Sequence, residues 1–527
     1  MDQPVNRKGL AGVIAASSLG TLIEWYDFYI FGSLAVIIST KFFPQGNQTA
    51  ALLSTLATFA AGFVVRPFGA LFFGRLGDLV GRKYTFLLTL VIMGLSTFLI
   101  GVIPGYETIG FAAPILVLIL RLLQGLALGG EYGGAATYVA EHSPVHERGF
   151  WTSWIQTTAT LGLFVSLFVI IVIKGAMSEA AFNNWGWRVP FWISFLMVGV
   201  SVIIRMRMNE SPLFKKVKAL GKTSANPLKE SFGNKLNFKY VLLALFGATM
   251  GQGVVWYTGQ FYALSFIQST LNVEITQASK LIMIGLGMGT PFFLLFGWLS
   301  DKIGRKWIMM AGMLIAIVSY RPIYSAMYEA GSITKKIEET QKSTTKFYMV
   351  ANANNIDDRV RTSIIHKSFT DGTTYMETKK ETISVSNITD GTPPVTSIVK
   401  SVVLDRSSFW KLVWLVFIQV IFVTMVYGPI AAFLVEMFPV KIRYTSMSLP
   451  YHIGNGIFGG LLPAIATFLA TRAMQLNDAA TKAGLPKPYE KPFLEGLWYP
   501  IIIGGVCFVI GVLYINNTAR THYDDHT

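Results

Sequence analysis

The chain has 527 residues, of which 52% are hydrophobic and only 14% are charged, and its formal net charge is +15. A soluble domain carries about 25% charged residues, so an ordinary water-soluble enzyme or binding module is excluded. A nucleic-acid-binding domain would show its basic residues on a polar surface, without long apolar runs. The combination indicates a polytopic membrane protein with basic loops. The single cysteine, Cys507, excludes a disulfide framework and a cysteine-based metal site.

Twelve apolar runs are long enough to cross a bilayer, which takes about 20 residues of α-helix. The first run follows Arg7 and Lys8 and has no small-residue cleavage site, which predicts a retained helix rather than a signal peptide. Six runs, a polar segment and six further runs predict an all-α membrane protein of two six-helix bundles at 1–208 and 240–527, with a cytoplasmic linker at 209–239. The runs cover residues 13–40, 50–74, 84–104, 111–140, 151–174, 188–208, 240–270, 277–299, 307–327, 410–435, 446–471 and 496–515.

The loops predict the orientation, because lysine and arginine collect in cytoplasmic loops. With the N-terminus inside, the inner segments hold 21 of these residues, about twice as many as the short outer segments. An even number of spans returns the C-terminus to the side on which the chain begins. We therefore expect both termini in the cytoplasm.

Two pairs of similar segments relate the halves. Residues 74–83 read GRLGDLVGRK and residues 297–306 read GWLSDKIGRK, which agree at six of ten positions with an offset of 223. Residues 141–148 read EHSPVHER and residues 436–443 read EMFPVKIR, with an offset of 295. The halves are therefore interpreted as copies of one unit, and duplicated halves of this kind hold a substrate site between them near mid-bilayer.

A polar block interrupts the second copy. The two offsets differ by 72 residues, close to the length of the block at 328–407, which is therefore interpreted as an insertion after the third helix of that copy. By the predicted topology the insertion is extracytoplasmic. Asp-Gly turn signals at 371–372 and 390–391 favour a small β-rich cap, and an irregular polar loop remains the alternative. The offset of 295 also relates Tyr132 to Tyr427.

These segments resemble the major facilitator superfamily over the chain outside the insertion. Residues 74–83 look like its signature loop, residues 297–306 look like the echo of that loop in the second half, and RLLQG at 121–125 resembles its fourth-helix motif. Within the superfamily, four segments resemble the metabolite:proton symporter family. They are EWYDFY at 24–29, RPFG at 66–69, GGEY at 129–132 and NESP at 209–212.

The resemblance implies a carrier of the bacterial inner membrane that couples uptake of a small solute to a proton by alternating access, without a cofactor. Members of the family carry organic acids such as 2-oxoglutarate, citrate or shikimate, or zwitterions such as proline and betaine. The implied partners are the solute, the proton and the lipid bilayer, with no nucleic acid, and the chain is expected to act as a monomer. The long insertion departs from the usual pattern of the family.

Ionisable residues inside predicted spans are candidate proton carriers, because charges within a bilayer are costly. Glu24 and Asp27 lie three positions apart on one face of the first span, and Glu131 lies in the fourth. A buried carboxylate takes up a proton more readily, and a nearby arginine reverses this effect. Glu24 and Asp27 are ranked above Glu131. A static ion pair that holds helices together is the alternative role for each.

Arg66 and Arg121 are the candidate binders of a carboxylate, since arginine presents a planar fork of donors. Aromatic walls also suit a quaternary ammonium group, so they do not decide between an acid and a betaine. The two arginines favour a small organic acid, and a zwitterion such as proline or betaine remains the alternative. The other expected wall residues are Tyr26, Tyr29, Gln124, Trp256, Tyr257, Gln260, His452 and Asn455.

The paired loop segments are the expected gates. Their glycines permit a tight turn and close helix contact, and an aspartate is favoured near a helix N-terminus. In the family this cluster latches the inner gate, whereas a role in topology alone would explain only the basic residues. The implied gating residues are Gly74, Asp78, Gly81, Arg82, Lys83, Asp301, Arg305, Lys306, Glu141, Arg148, Glu436 and Arg443.

Other classes of protein find less support. The six histidines are scattered, and the pair His142 and His146 flanks a proline in a loop, so neither an embedded enzyme nor a metal site is predicted. No phosphate-binding P-loop is present, which argues against ATP-driven transport. A non-transporting receptor with the same fold would carry the same repeats and remains open.

Overall fold

The structure is a computed structural model that describes residues 7–44, 48–80, 82–130, 132–207, 233–352, 355–384, 394–438 and 443–516. Within these ranges, ten helices are long and apolar enough to cross a membrane. The pair Ser18–Ser33 and Ala35–Phe42, bent by 62°, makes an eleventh span. Leu87–Ile100 is a shorter apolar helix at the place of the remaining predicted run. Each predicted run thus contains a helix, and the all-α membrane architecture is confirmed.

The membrane helices are numbered in chain order. The first half contains α1 (Arg7–Ser33, continued by Ala35–Phe42), α2 (Gln48–Val64 and Arg66–Val80), α3 (Arg82–Ile100), α4 (Ala112–Gly129 and Tyr132–His142), α5 (Arg148–Gly175) and α6 (Val189–Arg207). Short helices at Tyr106–Ile109 and Glu179–Asn184 lie in its connections.

The second half contains α7 (Lys235–Thr270), α8 (Ile275–Gly289 and Pro291–Ile303), α9 (Arg305–Gly331), α10 (Arg406–Tyr427 and Ile430–Met437), α11 (Arg443–Tyr451, His452–Gly459 and Leu462–Lys482) and α12 (Trp498–Tyr514). Four stretches are π-helical, three in α7 and one in α11, namely Leu245–Thr249, Thr258–Tyr262, Phe266–Thr270 and His452–Gly459. Segments of this kind are frequent at functional sites.

Glycines bring α2 and α4 into close contact. A Cβ on Gly125 would lie 1.8 Å from the carbonyl oxygen of Gly62, and a Cβ on Gly129 would lie 2.1 Å from that of Arg66. Small residues allow backbones to approach in this way within a membrane. The contact holds Arg66 of α2 and Arg121 of α4 in one region of the first half.

The halves meet along their lengths. A Cβ on Gly149 of α5 would lie 2.4 Å from the carbonyl oxygen of Gly297 of α8, and a Cβ on Gly456 of α11 would lie 2.9 Å from that of Phe63 of α2. We call the end of the bundle with the segments 74–83 and 297–306 the loop end. The end that carries the insertion is called the cap end.

The insertion folds as a four-stranded antiparallel sheet in the order β1-β2-β3-β4. The strands are β1 (Thr344–Asn352), β2 (Asn355–Ser368), β3 (Thr374–Ile383) and β4 (Val395–Val403). Gly372 adopts φ +89° in the β2–β3 turn, where the Asp-Gly pair predicts one, and the second Asp-Gly pair lies outside the described residues. The sheet agrees with the β-rich alternative.

Candidate functional site

Two buried arginines lie on either side of Phe28 in α1. The guanidinium carbon of Arg66 is 4.4 Å from the centroid of the Phe28 ring, and that of Arg121 is 4.0 Å from it. Both arginine side chains are fully enclosed, with 1% and 0% of their surface exposed. A cation over an aromatic face is attracted by the ring, and more strongly when it is desolvated. Phe28 therefore helps to hold two like charges in the core, a role that the sequence did not indicate.

The guanidinium of Arg121 is bound mainly within the first half. Its Nη1 donates to the carbonyl oxygen of Phe28 (3.1 Å) and to Oε1 of Gln124 (2.6 Å). Its Nη2 donates to the carbonyl oxygen of Phe59 (3.4 Å). Gln124 in turn donates from Nε2 to Thr97 (2.6 Å). Both ends of the Gln124 amide are therefore engaged in this state, so it supports Arg121 rather than facing an open site.

Arg66 retains unused donors. Its Nε and Nη2 have no hydrogen-bond partner among the described residues. Its guanidinium carbon lies 4.0 Å from the centroid of the Phe63 ring. A Cβ on Gly456 would lie 3.8 Å from its Cδ, so Arg66 lies where the halves meet. The structure thus presents a desolvated cation with free donors at the interface.

The candidate proton carriers are equally enclosed. Asp27 is 0% exposed and Glu24 is 2% exposed. The Asp27 carboxylate accepts no hydrogen bond of ordinary geometry in the described part of the chain and forms no ion pair with Arg66 or Arg121. Its polar neighbour is Ser194 of α6. The static ion pair therefore finds no support at Asp27, and Glu131 lies outside the described residues.

Aromatic rings join the halves beside Arg66. Trp25 and Tyr29 of α1 stack with centroids 5.0 Å apart, and Tyr29 stacks on Trp256 of α7 at 5.4 Å. Tyr257 meets Phe63 edge to face at 5.1 Å. The expected wall residues Tyr29, Trp256 and Tyr257 thus come together.

Tyr26 points elsewhere, because its hydroxyl donates to the carbonyl oxygen of Pro190 of α6 (2.7 Å). The two tyrosines of the EWYDFY segment therefore serve different surfaces of α1. Tyr29 faces the second half, and Tyr26 packs within the first.

Buried polar atoms without partners cluster in the second half. Both amide atoms of Gln252, both ring nitrogens of His452, Nε1 of Trp256 and Oδ1 of Asn455 lack a hydrogen-bond partner among the described residues. The amide of Gln260 meets Thr160 of α5 (3.2 Å). Buried polar groups normally have partners, so these uncommitted atoms are available to bind water or a ligand. The sequence analysis named Gln260, His452 and Asn455 but not Gln252, although Gln252 lies one helical turn before Trp256.

The loop end is closed by the second-half copy of the signature loop. The two carboxylate oxygens of Asp301 accept from the backbone nitrogens of Gly149 and Phe150 of α5, each at 2.8 Å. Arg305 pairs with Asp301 (2.5 Å) and with Glu436 of α10 (2.9 Å). Asp301 therefore bonds to the first residues of α5 across the two halves, and Arg305 links it to Glu436.

Three further expected gating residues donate to backbone carbonyl oxygens within their own half. Lys306 donates to the carbonyl oxygen of Val512 (2.8 Å), Arg148 to that of Ala140 (3.3 Å), and Arg443 to that of Phe438 (3.1 Å). Gly74 lies within the second part of α2. Gly81 lies outside the described residues, as do the side chains of Asp78, Arg82, Lys83 and Glu141.

Tyrosines form a further contact between the halves. The rings of Tyr132 of α4 and Tyr451 of α11 stack with centroids 3.5 Å apart. Gln156 of α5 donates to the hydroxyl of Tyr132 (2.6 Å), and Tyr427 of α10 shares a hydrogen bond with Tyr451 (2.8 Å). The repeat relates Tyr132 to Tyr427 and Gln156 to Tyr451, so each half contributes an equivalent pair.

The cap end is closed as well. Lys174, in the last turn of α5, forms an ion pair with Glu274, which caps α8. Neither residue stands out in the sequence, because Lys174 at the end of α5 and Glu274 in the connection before α8 both lie outside the repeated segments. Contacts between the halves are therefore present at both ends of the bundle.

The chain resembles known transport proteins. Residues 13–239 match the family model described as "Sugar (and other) transporter". The chain is 36% identical over 324 residues to the proline/betaine transporter of Escherichia coli K12, a match that covers 60% of this chain and 64% of that protein, just under two thirds of its length. It is 36% identical over 326 residues to the alpha-ketoglutarate permease of the same organism, covering 62% of this chain and 74% of that protein.

A solved structure shares the fold. The MFS (major facilitator superfamily) proton:xylose symporter XylE, bound to 6-bromo-6-deoxy-D-glucose, matches with a TM-score of 0.63 at 16% identity and covers 98% of both chains.

Proposed function

Because the chain belongs to the major facilitator superfamily of metabolite transporters, we propose that it takes up a small organic acid together with a proton by alternating access. The observation that carries this proposal is Arg66, a buried cation where the halves meet, whose Nε and Nη2 have no partner among the described residues. Family members are transporters rather than enzymes, so the function proposed for this chain is transport rather than catalysis.

A carboxylate suits Arg66 for two reasons. The guanidinium offers two parallel donors, and a carboxylate offers two acceptors in the matching geometry. In addition, neither Arg66 nor Arg121 forms an ion pair with a described carboxylate, so an anionic solute would offset a buried positive charge. The uncommitted amide of Gln252 and the imidazole of His452 would bind the remaining polar groups of the solute.

A zwitterion is the second candidate, favoured by the aromatic cluster and by the likeness to a proline/betaine transporter. Its carboxylate would use the same Arg66. Its ammonium group would need an open aromatic face, whereas Trp25, Tyr29 and Trp256 stack on one another in this state. We therefore rank the organic acid first.

Asp27 is the proposed proton carrier. An ionised carboxylate that is buried without a positive partner costs several kcal/mol, and Asp27 forms no ion pair with a described residue, so the enclosed state suits a proton-loaded Asp27. Opening of one end would admit water beside it and allow the proton to leave. Glu24 is the second candidate at the same level of α1.

The halves at 1–208 and 240–527 would move against each other around this site, with the linker at 209–239 between them and both termini in the cytoplasm. Opening of the loop end breaks the contacts of Asp301 with α5, and opening of the cap end breaks the Lys174–Glu274 pair. Each opening leaves the other set of contacts intact.

Uptake into proteoliposomes tests this function. Labelled carboxylates, proline and betaine would be offered with and without an imposed pH gradient, to wild type, Arg66→Lys and Arg66→Ala. We expect gradient-driven accumulation of a carboxylate that Arg66→Ala abolishes. Arg188→Lys is the matched control, because Arg188 donates to the carbonyl oxygens of Gly101 and Ile103 away from the site. Binding without accumulation would identify a receptor, and accumulation of betaine alone would select the second candidate.

A further inference from the structure

The insertion touches the transport core at the connection between α7 and α8. The backbone nitrogen of Val402 in β4 donates to the carbonyl oxygen of Asn272 (2.7 Å), and that of Glu274 donates to the carbonyl oxygen of Val402 (2.9 Å). These bonds form a parallel bridge between the connection and the last strand of the insertion. Asn272 adopts φ +55° there, the one non-glycine residue of the described ranges in the left-handed region.

Gln277 adds two further hydrogen bonds between the insertion and α8. Its side chain donates from Nε2 to the carbonyl oxygen of Leu404 (2.9 Å) and accepts at Oε1 from the Leu404 backbone nitrogen (2.7 Å). Gln277 lies in the first turn of α8, and Leu404 directly follows β4. The start of α8 is therefore fixed to the insertion by a side chain as well as by backbone.

Glu274 connects this attachment to the other half. One oxygen of its carboxylate accepts from the backbone nitrogen of Gln277 (2.9 Å), and the other pairs with Lys174 of α5. Both side chains are mostly buried, with 22% of Glu274 and 15% of Lys174 exposed. The carboxylate is thus held in place before Lys174 reaches it, which reduces the conformational entropy lost when the pair forms.

The insertion is itself anchored to the second half. The ammonium group of Lys336 contacts the carboxylates of Asp371 and Asp405 (3.2 Å for Asp405) and the hydroxyls of Thr373 (2.8 Å) and Ser408 (3.3 Å). Asp405 caps the first turn of α10. The sheet is therefore tied to the starts of α8 and α10, both of them in the second half.

We propose that Lys174 and Glu274 form the latch that keeps the cap end closed, and that the insertion is a strap that positions Glu274 for this latch. The inference rests on the proposed function, because a latch matters only if the halves move. It assigns the insertion a role in setting how often the cap end opens.

Distances between the halves test the latch directly. Spin labels would be placed at Ala180, before α6, and Ala479, near the end of α11, both exposed and at the cap end. Cys507 is the single native cysteine and is buried, so Cys507→Ala gives a clean background. Electron–electron double resonance in lipid nanodiscs then reports the ratio of long to short distances, and it needs no substrate.

Glu274→Gln should raise the ratio of open to closed cap ends roughly 1.5- to fivefold, the range for loss of a partly exposed ion pair. Lys174→Gln should also raise this ratio. The exchange Lys174→Glu with Glu274→Lys should restore closure only in part, because a lysine at 274 cannot accept the hydrogen bond from the Gln277 backbone nitrogen. Glu495→Gln is the matched control, because Glu495 pairs with Arg321 within the second half (3.3 Å). Unchanged distances in both single variants would overturn the latch.

Gln277→Leu tests the strap, because it removes the attachment to Leu404 while both charges of the latch remain. It should raise the open ratio in the same direction as Glu274→Gln. A shift with Glu274→Gln but none with Gln277→Leu would overturn the role of the insertion. A shift in these distances without uptake of any solute would instead refute the proposed function and leave the latch standing.

Discussion

The rings of Tyr132 and Tyr451, from opposite halves, lie parallel within 5° and with their centroids 3.5 Å apart. Each tyrosine is held by its own half, through Gln156 and through Tyr427 respectively. The contact can therefore form or break as a unit when the halves move. It lies on the loop side of Arg121, because α4 runs from Arg121 through Tyr132 towards the loop end, and there it joins the two halves.

Tyr451→Leu should open the loop end more often, because a stacked aromatic pair contributes about 0.5–1.5 kcal/mol beyond its buried area. We expect about a three- to tenfold faster reaction of a maleimide with a cysteine at Thr137, which is buried against Met447 on the same side. Tyr451→Phe keeps the ring and loses only the hydrogen bonds to Tyr427 and Asn455, so it should react near the wild-type rate. Equal rates for the two variants would show that the stack does not gate.

Asp27→Asn should abolish accumulation driven by a pH gradient and spare exchange of solute across the membrane. The amide cannot take up a proton, whereas Arg66 and the second-half polar groups are unchanged. Counterflow with labelled solute measures exchange, and uptake under the gradient measures coupling. Normal accumulation in Asp27→Asn and also in Glu24→Gln would remove both residues as carriers.

The anchor of the insertion should withstand mild acid. Burial raises the pKa of Asp405, but hydrogen bonds from Ser408 and Lys336 outweigh it and lower the pKa to about 2. A carboxylate with a lowered pKa stabilises the fold above its ordinary pKa and loses this contribution as the pH falls towards the lowered value. Burial also raises the pKa of Asp371, and its hydrogen bond from Lys336 outweighs this effect, so that pKa is lowered too.

We therefore expect the amides of Val402 and Leu404 to stay protected from hydrogen exchange between pH 7 and pH 5, after correction for intrinsic rates. Lys336→Met should expose them throughout this range. Loss of protection in the wild-type protein near pH 5 would contradict the assignment of this anchor.

The helices were predictable because hydropathy is a local property of the sequence, and the repeat predicted equivalent halves. The repeat also contained the pair Tyr132 and Tyr427, but the stacking of Tyr132 on Tyr451 depends on how the halves meet. Gln124 was expected at the substrate and is instead engaged by Arg121 and Thr97. Contacts between distant segments, such as Lys174 with Glu274, leave no periodic or compositional trace.

Joint movement of an organic acid and a proton through a site built on Arg66 can be measured as a change in external pH. The measurement uses an unbuffered suspension of proteoliposomes, to which a carboxylate identified in the uptake screen is added outside. We predict prompt alkalinisation of the medium that Asp27→Asn and Arg66→Ala both abolish. Entry of the labelled carboxylate with no change in external pH would contradict it.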